Sequence, residues 1–182
     1  MRRIAVLILA AGTLAAPAAA EETWTTYKDW TIAVDTVDTG EDVRVTCHIW
    51  TGSDGNPVVG TELSNGDVLP PDLYPQVTLT EHALRHQPTV LQDGDPVTFT
   101  FDTGETFSGS VNGGLDPDGY AIATTQLPMD DWLPVLQTMR KASTMAVTGP
   151  TGPIYTASLS GFTAAYGKMA EQCGFPTTGV ID

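Results

Sequence analysis

Two alternations of apolar and polar residues lie close together near the start of the chain. Over 30–37 the order Trp-Thr-Ile-Ala-Val-Asp-Thr-Val alternates in strand fashion. Over 43–49, Val43, Val45, Cys47 and Ile49 share one face, while Arg44, Thr46 and His48 share the other. Asp38-Thr39-Gly40-Glu41-Asp42 supplies the turn between them, so the segment predicts a hairpin with Cys47 on its inward face. The pattern recurs in the middle: Val97, Phe99 and Phe101 alternate with threonines, Asp102-Thr103-Gly104-Glu105 turns the chain, and 106–111 runs back. Shorter strands are expected over 58–63, 76–80, 120–126, 144–148 and 154–158.

After Pro128 the period changes. Trp132, Leu136 and Met139 fall at i, i+4 and i+7 and predict a helix, with Asp130 or Asp131 placed to cap it and Pro134 tolerated in its first turn. Phe162, Ala165, Tyr166, Met169 and Cys173 predict a second helix, capped by Ser160 and stopped by Gly174 and Pro176. Residues 177–182 are expected to fray. No linker interrupts the pattern. The expected fold class is α+β: an antiparallel, curved or barrel-like sheet with two helices near the C-terminus, in one domain over 21–176.

Composition then changes the picture at the N-terminus. Met1-Arg2-Arg3, an apolar run over 4–11 and Ala18-Ala19-Ala20 before Glu21 have the layout of a secretory signal peptide over 1–20. The run is short for a membrane span, and no cysteine near the cut offers a lipid attachment point, so no membrane anchor is expected after cleavage. Cleavage takes two arginines and no acid, leaving 6 basic against 22 acidic side chains and moving the net charge from −14 to −16. Such a surface repels nucleic acid and anionic membranes. Apolar residues at 41% against 16% charged exclude a disordered acidic tail. The two cysteines, Cys47 and Cys173, read as one disulfide in a periplasmic or secreted protein, joining an N-terminal strand to the C-terminal helix; no Cys-x-x-Cys points to redox work.

Candidate chemistry is sparse. In Glu81-His82-Ala83-Leu84-Arg85-His86, the two histidines would share a helical face and could bind one metal ion, but on a strand they would stand about 13 Å apart. The segment is hemmed by strand-like 76–80 and by Pro88, and no third ligand follows at zinc-like spacing, so no metal site is expected there. A metal-binding protein or metal-dependent enzyme using His82 and His86 is the alternative reading. Asp93-Gly94-Asp95 and Asp116-Pro117-Asp118-Gly119 hold calcium-type ligands without an EF-hand loop, and read as turns. Ser160 lacks a nucleophile elbow, and neither a phosphate loop nor a dinucleotide fingerprint occurs, so no cofactor is expected. Trp24, Tyr27, Trp30 and Trp50 read as core and hairpin packing rather than a ligand platform. The expected function is a non-enzymatic exported protein that binds another protein or an envelope component, for which a basic partner would complement the charge.

The segment 131–142, Asp-Trp-Leu-Pro-Val-Leu-Gln-Thr-Met-Arg-Lys-Ala, is followed after a short strand by 154–166, Ile-Tyr-Thr-Ala-Ser-Leu-Ser-Gly-Phe-Thr-Ala-Ala-Tyr. This resembles the end of the invasion-associated locus B family, small exported alphaproteobacterial proteins in which a helix, a strand pair and a Ser-Leu-x-Gly-Phe-x-x-Ala helix close the domain. It is equally similar to a broad set of uncharacterised secreted proteins with one N-terminal and one C-terminal cysteine. The Asp29-Trp30 start with a cysteine seventeen residues on fits the same layout. The chain departs from the better-known members in lacking extra cysteines near the middle and in its acidity. The resemblance implies an exported domain and carries over no catalytic residue.

Overall fold

The computed structural model describes residues 19–52 and 57–181. Apart from Ala19 and Ala20, the expected signal peptide over 1–20 lies outside the described residues. The strands are β1 (Ala19–Tyr27), β2 (Trp30–Asp38), β3 (Val43–Thr51), β4 (Val58–Ser64), β5 (Thr78–His82), β6 (Pro96–Phe101), β7 (Thr106–Leu115), β8 (Ala121–Gln126), β9 (Thr144–Gly149) and β10 (Gly152–Ser158). The helices are α1 (Trp132–Lys141) and α2 (Phe162–Cys173). Each predicted strand and both predicted helices are present, and α1 precedes the β9–β10 hairpin while α2 follows it.

All strands join one sheet in the order β1-β2-β3-β4-β5-β8-β7-β6-β9-β10, and every neighbouring pair is antiparallel. The first five form a meander. The chain then crosses over from β5 to β6, so that β6, β7 and β8 return with β8 against β5, a Greek-key arrangement. The sheet is α+β in class and open rather than a closed barrel, with β1 and β10 at its edges. It wraps far enough for one rim to meet. The Asp29 N–H donates to the Ser160 carbonyl at 3.2 Å, Trp30 Nε1–H donates to the Ser158 carbonyl at 2.9 Å, and the Ser158 hydroxyl donates to Asp29 Oδ2 at 2.6 Å.

The inner face carries the core. Trp30, Ile32, Ile49, Leu79, Phe99 and Met145 are buried there at alternate strand positions. The apolar stripe of α2 closes over β2 and β3, with Phe162 edge-on to Trp30 at 5.1 Å. The Cys47–Cys173 disulfide, with Cα atoms 6.2 Å apart, fastens the middle of β3 to the last residue of α2.

Three details correct the sequence reading. Ser160 does not cap α2: the capping position is Gly161, at φ 104°, and no side chain bonds the helix end. Ser160 instead spends its carbonyl on Asp29 and its N–H on the Ser158 hydroxyl, so it belongs to the rim. The backbone of Tyr27 lies so close that a Cβ on Gly161 would fall 1.8 Å from its carbonyl oxygen, which is why this position needs glycine. Asp131 precedes α1 but makes no side-chain cap, because a 3₁₀ turn over Met129–Asp131 leads directly into the helix. Finally, residues 177–181 are docked rather than frayed. Val180 is buried, the Thr178 carbonyl accepts from the Tyr74 hydroxyl at 2.9 Å, and the Gly179 carbonyl accepts from Gln137 Nε2 at 2.7 Å.

Candidate binding cleft on the outer face of the sheet

Alternation along β1 to β5 sends half of the side chains away from the core. Their identities, combined with strand register, shape a cleft. One cross-strand row reads Trp24, Ala33, His48, Glu62; the neighbouring row reads Thr31, Trp50, Gly60, Thr78. Small residues thus stand beside large aromatic ones, Ala33 between Trp24 and His48, and Gly60 beside Trp50. Ala33 is buried although it points outward, and a Cβ on Gly60 would lie 3.0 Å from both His48 Nε2 and Trp50 Cβ. The aromatic rings form the wall. Trp24 meets Trp50 edge-on at 5.2 Å, and His48 stacks on Trp50 at 4.8 Å. The resulting cleft holds about 390 Å³, at the small end of ligand-site volumes.

Its electrostatics are one-sided. Glu22, Asp35 and Glu62 line it, and among its described lining residues there is no lysine or arginine. Burial pushes the His48 imidazole below its usual pKa of 6.5, against the opposing pull of Glu62 and Asp35, so the ring is neutral at pH 7. Aromatic faces with carboxylates beside them attract cations, which are drawn both to the ring quadrupole and to the negative charge. Neither serine nor cysteine lines the cleft to act as a nucleophile.

The residues singled out from sequence fall in different places. His82 ends β5 and lines this cleft, whereas His86 sits in the following turn at φ 64° and lines a separate one with Arg85 and Tyr120. The two histidines thus line different clefts. Among the described residues no group of three or more His, Cys, Asp or Glu side chains is placed to hold a metal ion. The aspartate turns use their carboxylates locally. Asp116 Oδ1 accepts from the N–H groups of Asp118 and Tyr120, Asp95 Oδ2 from that of Gln92, and Asp93 Oδ1 from that of Gly113.

The aromatic cluster needs a correction. Trp30 is core, but Trp24 is 59% exposed and, with Trp50, forms the cleft wall instead of packing inside. Trp24 sits on β1, whose outward and edge-facing residues are exposed, so no apolar alternation marked it as a strand. Glu22, Asp35, His48 and Glu62 were not anticipated. The available signal was the outward set of the predicted hairpin, where His48 and Trp50 follow each other at period two.

Compared with known proteins, the chain matches no family model, and no curated protein or solved structure matches it significantly. Among the described residues, no helix is long and apolar enough to cross a membrane.

Proposed function

We propose that this is a non-enzymatic binding protein of the periplasm or the secreted fraction, whose partner is another protein or an envelope component. The observation that carries the reading is the cleft across β1 to β5: a built concavity with aromatic walls and three carboxylates, and no serine or cysteine nucleophile among its lining residues. The Cys47–Cys173 bond suits an oxidising compartment. The acidic chain favours a basic partner and disfavours nucleic acid. The resemblance of 131–166 to the invasion-associated locus B proteins points the same way, toward a small exported domain without a catalytic centre.

The test is paired capture. The oxidised protein and its Trp50→Ala variant are immobilised and exposed to envelope extract. A component retained by the native protein and lost from the variant supports the reading; retention of nothing, or identical retention by both, overturns it.

A further inference from the structure

The two edges of the sheet are treated differently. β10 carries Pro153 and a register shift between Pro153 and Tyr155, two devices that blunt an edge against further pairing. β1 carries neither. Over Glu21–Tyr27, the part that remains once the expected signal peptide is removed, it pairs with β2 without a bulge, contains no proline or lysine, and is exposed from Glu21 to Thr26. As an edge strand it leaves a regular row of N–H and C=O groups facing away from β2 as far as Thr26, beyond which Gly161 covers the Tyr27 carbonyl. The charges β1 does carry are Glu21 and Glu22, and Glu22 and Trp24 of this same strand form one lip of the cleft.

From this juxtaposition we infer that β1 and the cleft are one docking surface, and that its occupant is an extended basic segment of a partner protein. The segment adds as a strand beside β1, and a lysine or arginine on its outward face reaches over Trp24 toward Glu22 of β1 and its cross-strand neighbour Asp35 of β2. This inference rests on the binding-protein reading above and specifies its ligand. The geometry is that of strand addition. The new strand lies about 4.8 Å from β1, main-chain hydrogen bonds supply the affinity, and alternate side chains supply the selectivity. A residue opposite Trp24 has its Cβ about 5 Å from that of the tryptophan, and a long side chain also reaches the diagonal neighbours. Sign selects the occupant. A basic strand meets the Glu22 and Asp35 carboxylates and the exposed face of Trp24, whereas a second copy of the exported chain, at net charge −16, brings like charge to the same edge.

The experiment uses synthetic eight-residue peptides against the oxidised protein, read by tryptophan fluorescence and calorimetry. The probes are alternating Thr-Lys, alternating Thr-Glu, a Thr-Lys peptide N-methylated on the amides that would join the ladder, and choline chloride as a free cationic headgroup. The Thr-Lys peptide should bind at least tenfold more tightly than either of the other peptides. Its affinity should fall at least tenfold in Trp24→Ala and in the Glu22→Gln, Asp35→Asn pair. Trp24 is largely exposed, so its variant should keep the native melting temperature, and the carboxylate pair gives an independent readout. Equal binding of the N-methylated peptide would overturn strand addition, and binding indifferent to both variants would reduce the contact to nonspecific charge. Choline binding as tightly as the Thr-Lys peptide would assign the cleft to a small cation instead. Failure here alongside successful capture of a Trp50-dependent partner would sink the basic-strand inference while leaving the binding-protein reading standing.

Discussion

Reducing the Cys47–Cys173 bond should cost this domain a large part of its stability. The two cysteines are 126 residues apart, so about three-quarters of the described chain, from β3 to the end of α2, lies inside the closed loop. For a loop of that length the chain-entropy relation gives about 5 kcal/mol at 25 °C, by restricting the unfolded chain. Residual structure in the unfolded state lowers that figure, and a loss of about 3–5 kcal/mol is expected on reduction. Both sulfurs are buried between β3 and α2, so a Cys47→Ala, Cys173→Ala variant loses roughly 1 kcal/mol more for each buried group removed. Against a typical domain stability of about 5–15 kcal/mol, the reduced protein should still fold but with a thin margin. Guanidinium unfolding followed by tryptophan emission measures this directly, because Trp30 is fully buried and is exposed on unfolding. With a slope of about 4 kcal/mol per molar, the midpoint should fall by about 1 M in reductant. A shift below about 0.2 M would refute the reasoning, showing that the bond constrains little that the core does not already hold.

Three further outcomes are expected. Glu81 is buried, and its two oxygens accept from the N–H groups of Val90 and Leu91 at 2.7 and 3.1 Å, pinning the crossover between β5 and β6. Glu81→Ala should therefore cost about 2–5 kcal/mol in urea unfolding, with Glu81→Gln losing roughly half as much; a change under about 0.5 kcal/mol in the alanine variant would contradict that role. The Tyr166 hydroxyl is buried without a hydrogen-bond partner among the described residues, and burial holds it well above the usual tyrosine range. Tyr166→Phe should be neutral or stabilising by up to about 1 kcal/mol, checked by melting temperature, whereas a clear loss would reveal a partner for the hydroxyl. Burial lowers the His48 pKa below 6.5, so as pH falls through 6.5 the unfolded chain takes up a proton before the native one does. Stability should accordingly decline from pH 7 toward the lowered native value, and His48→Gln should flatten that decline in urea midpoints taken at intervals from pH 8 to 5. Parallel profiles for the two proteins would argue against a buried neutral imidazole.

Much of this architecture is local in origin, and for that reason it could be read from the chain. The β2–β3 and β6–β7 hairpins announce themselves through period-two alternation broken by turn residues, and α1 and α2 through apolar stripes at helical spacing. An even cysteine count in a chain with an export-like start suffices to suggest the Cys47–Cys173 pair, since only one pairing exists. β1 escaped because an edge strand with exposed side chains has no buried face to impose alternation. Ser160 was misread as a cap for a related reason. Its neighbour Gly161 is fixed by the approach of Tyr27, more than a hundred residues earlier, which no local pattern records.

The cleft belongs wholly to the tertiary structure. Sequence places His48 on the outward face of its hairpin but reads Trp50 as packing, and records neither that Trp24 of β1 meets Trp50 across Ala33 nor that Glu62 of β4 stands beside His48. Those neighbours are set by register between strands, and register is fixed where inward faces interlock, by the burial of Ile32, Ile49 and Val59 on the other side of the sheet. The docking of 177–181 follows the same logic. Val180 is apolar enough to bury, yet only the packed α1 and the loop around Tyr74 supply the surface that receives it. Short-range pattern thus determined the elements and their inward faces, and the packing of those faces decided which outward residues became neighbours.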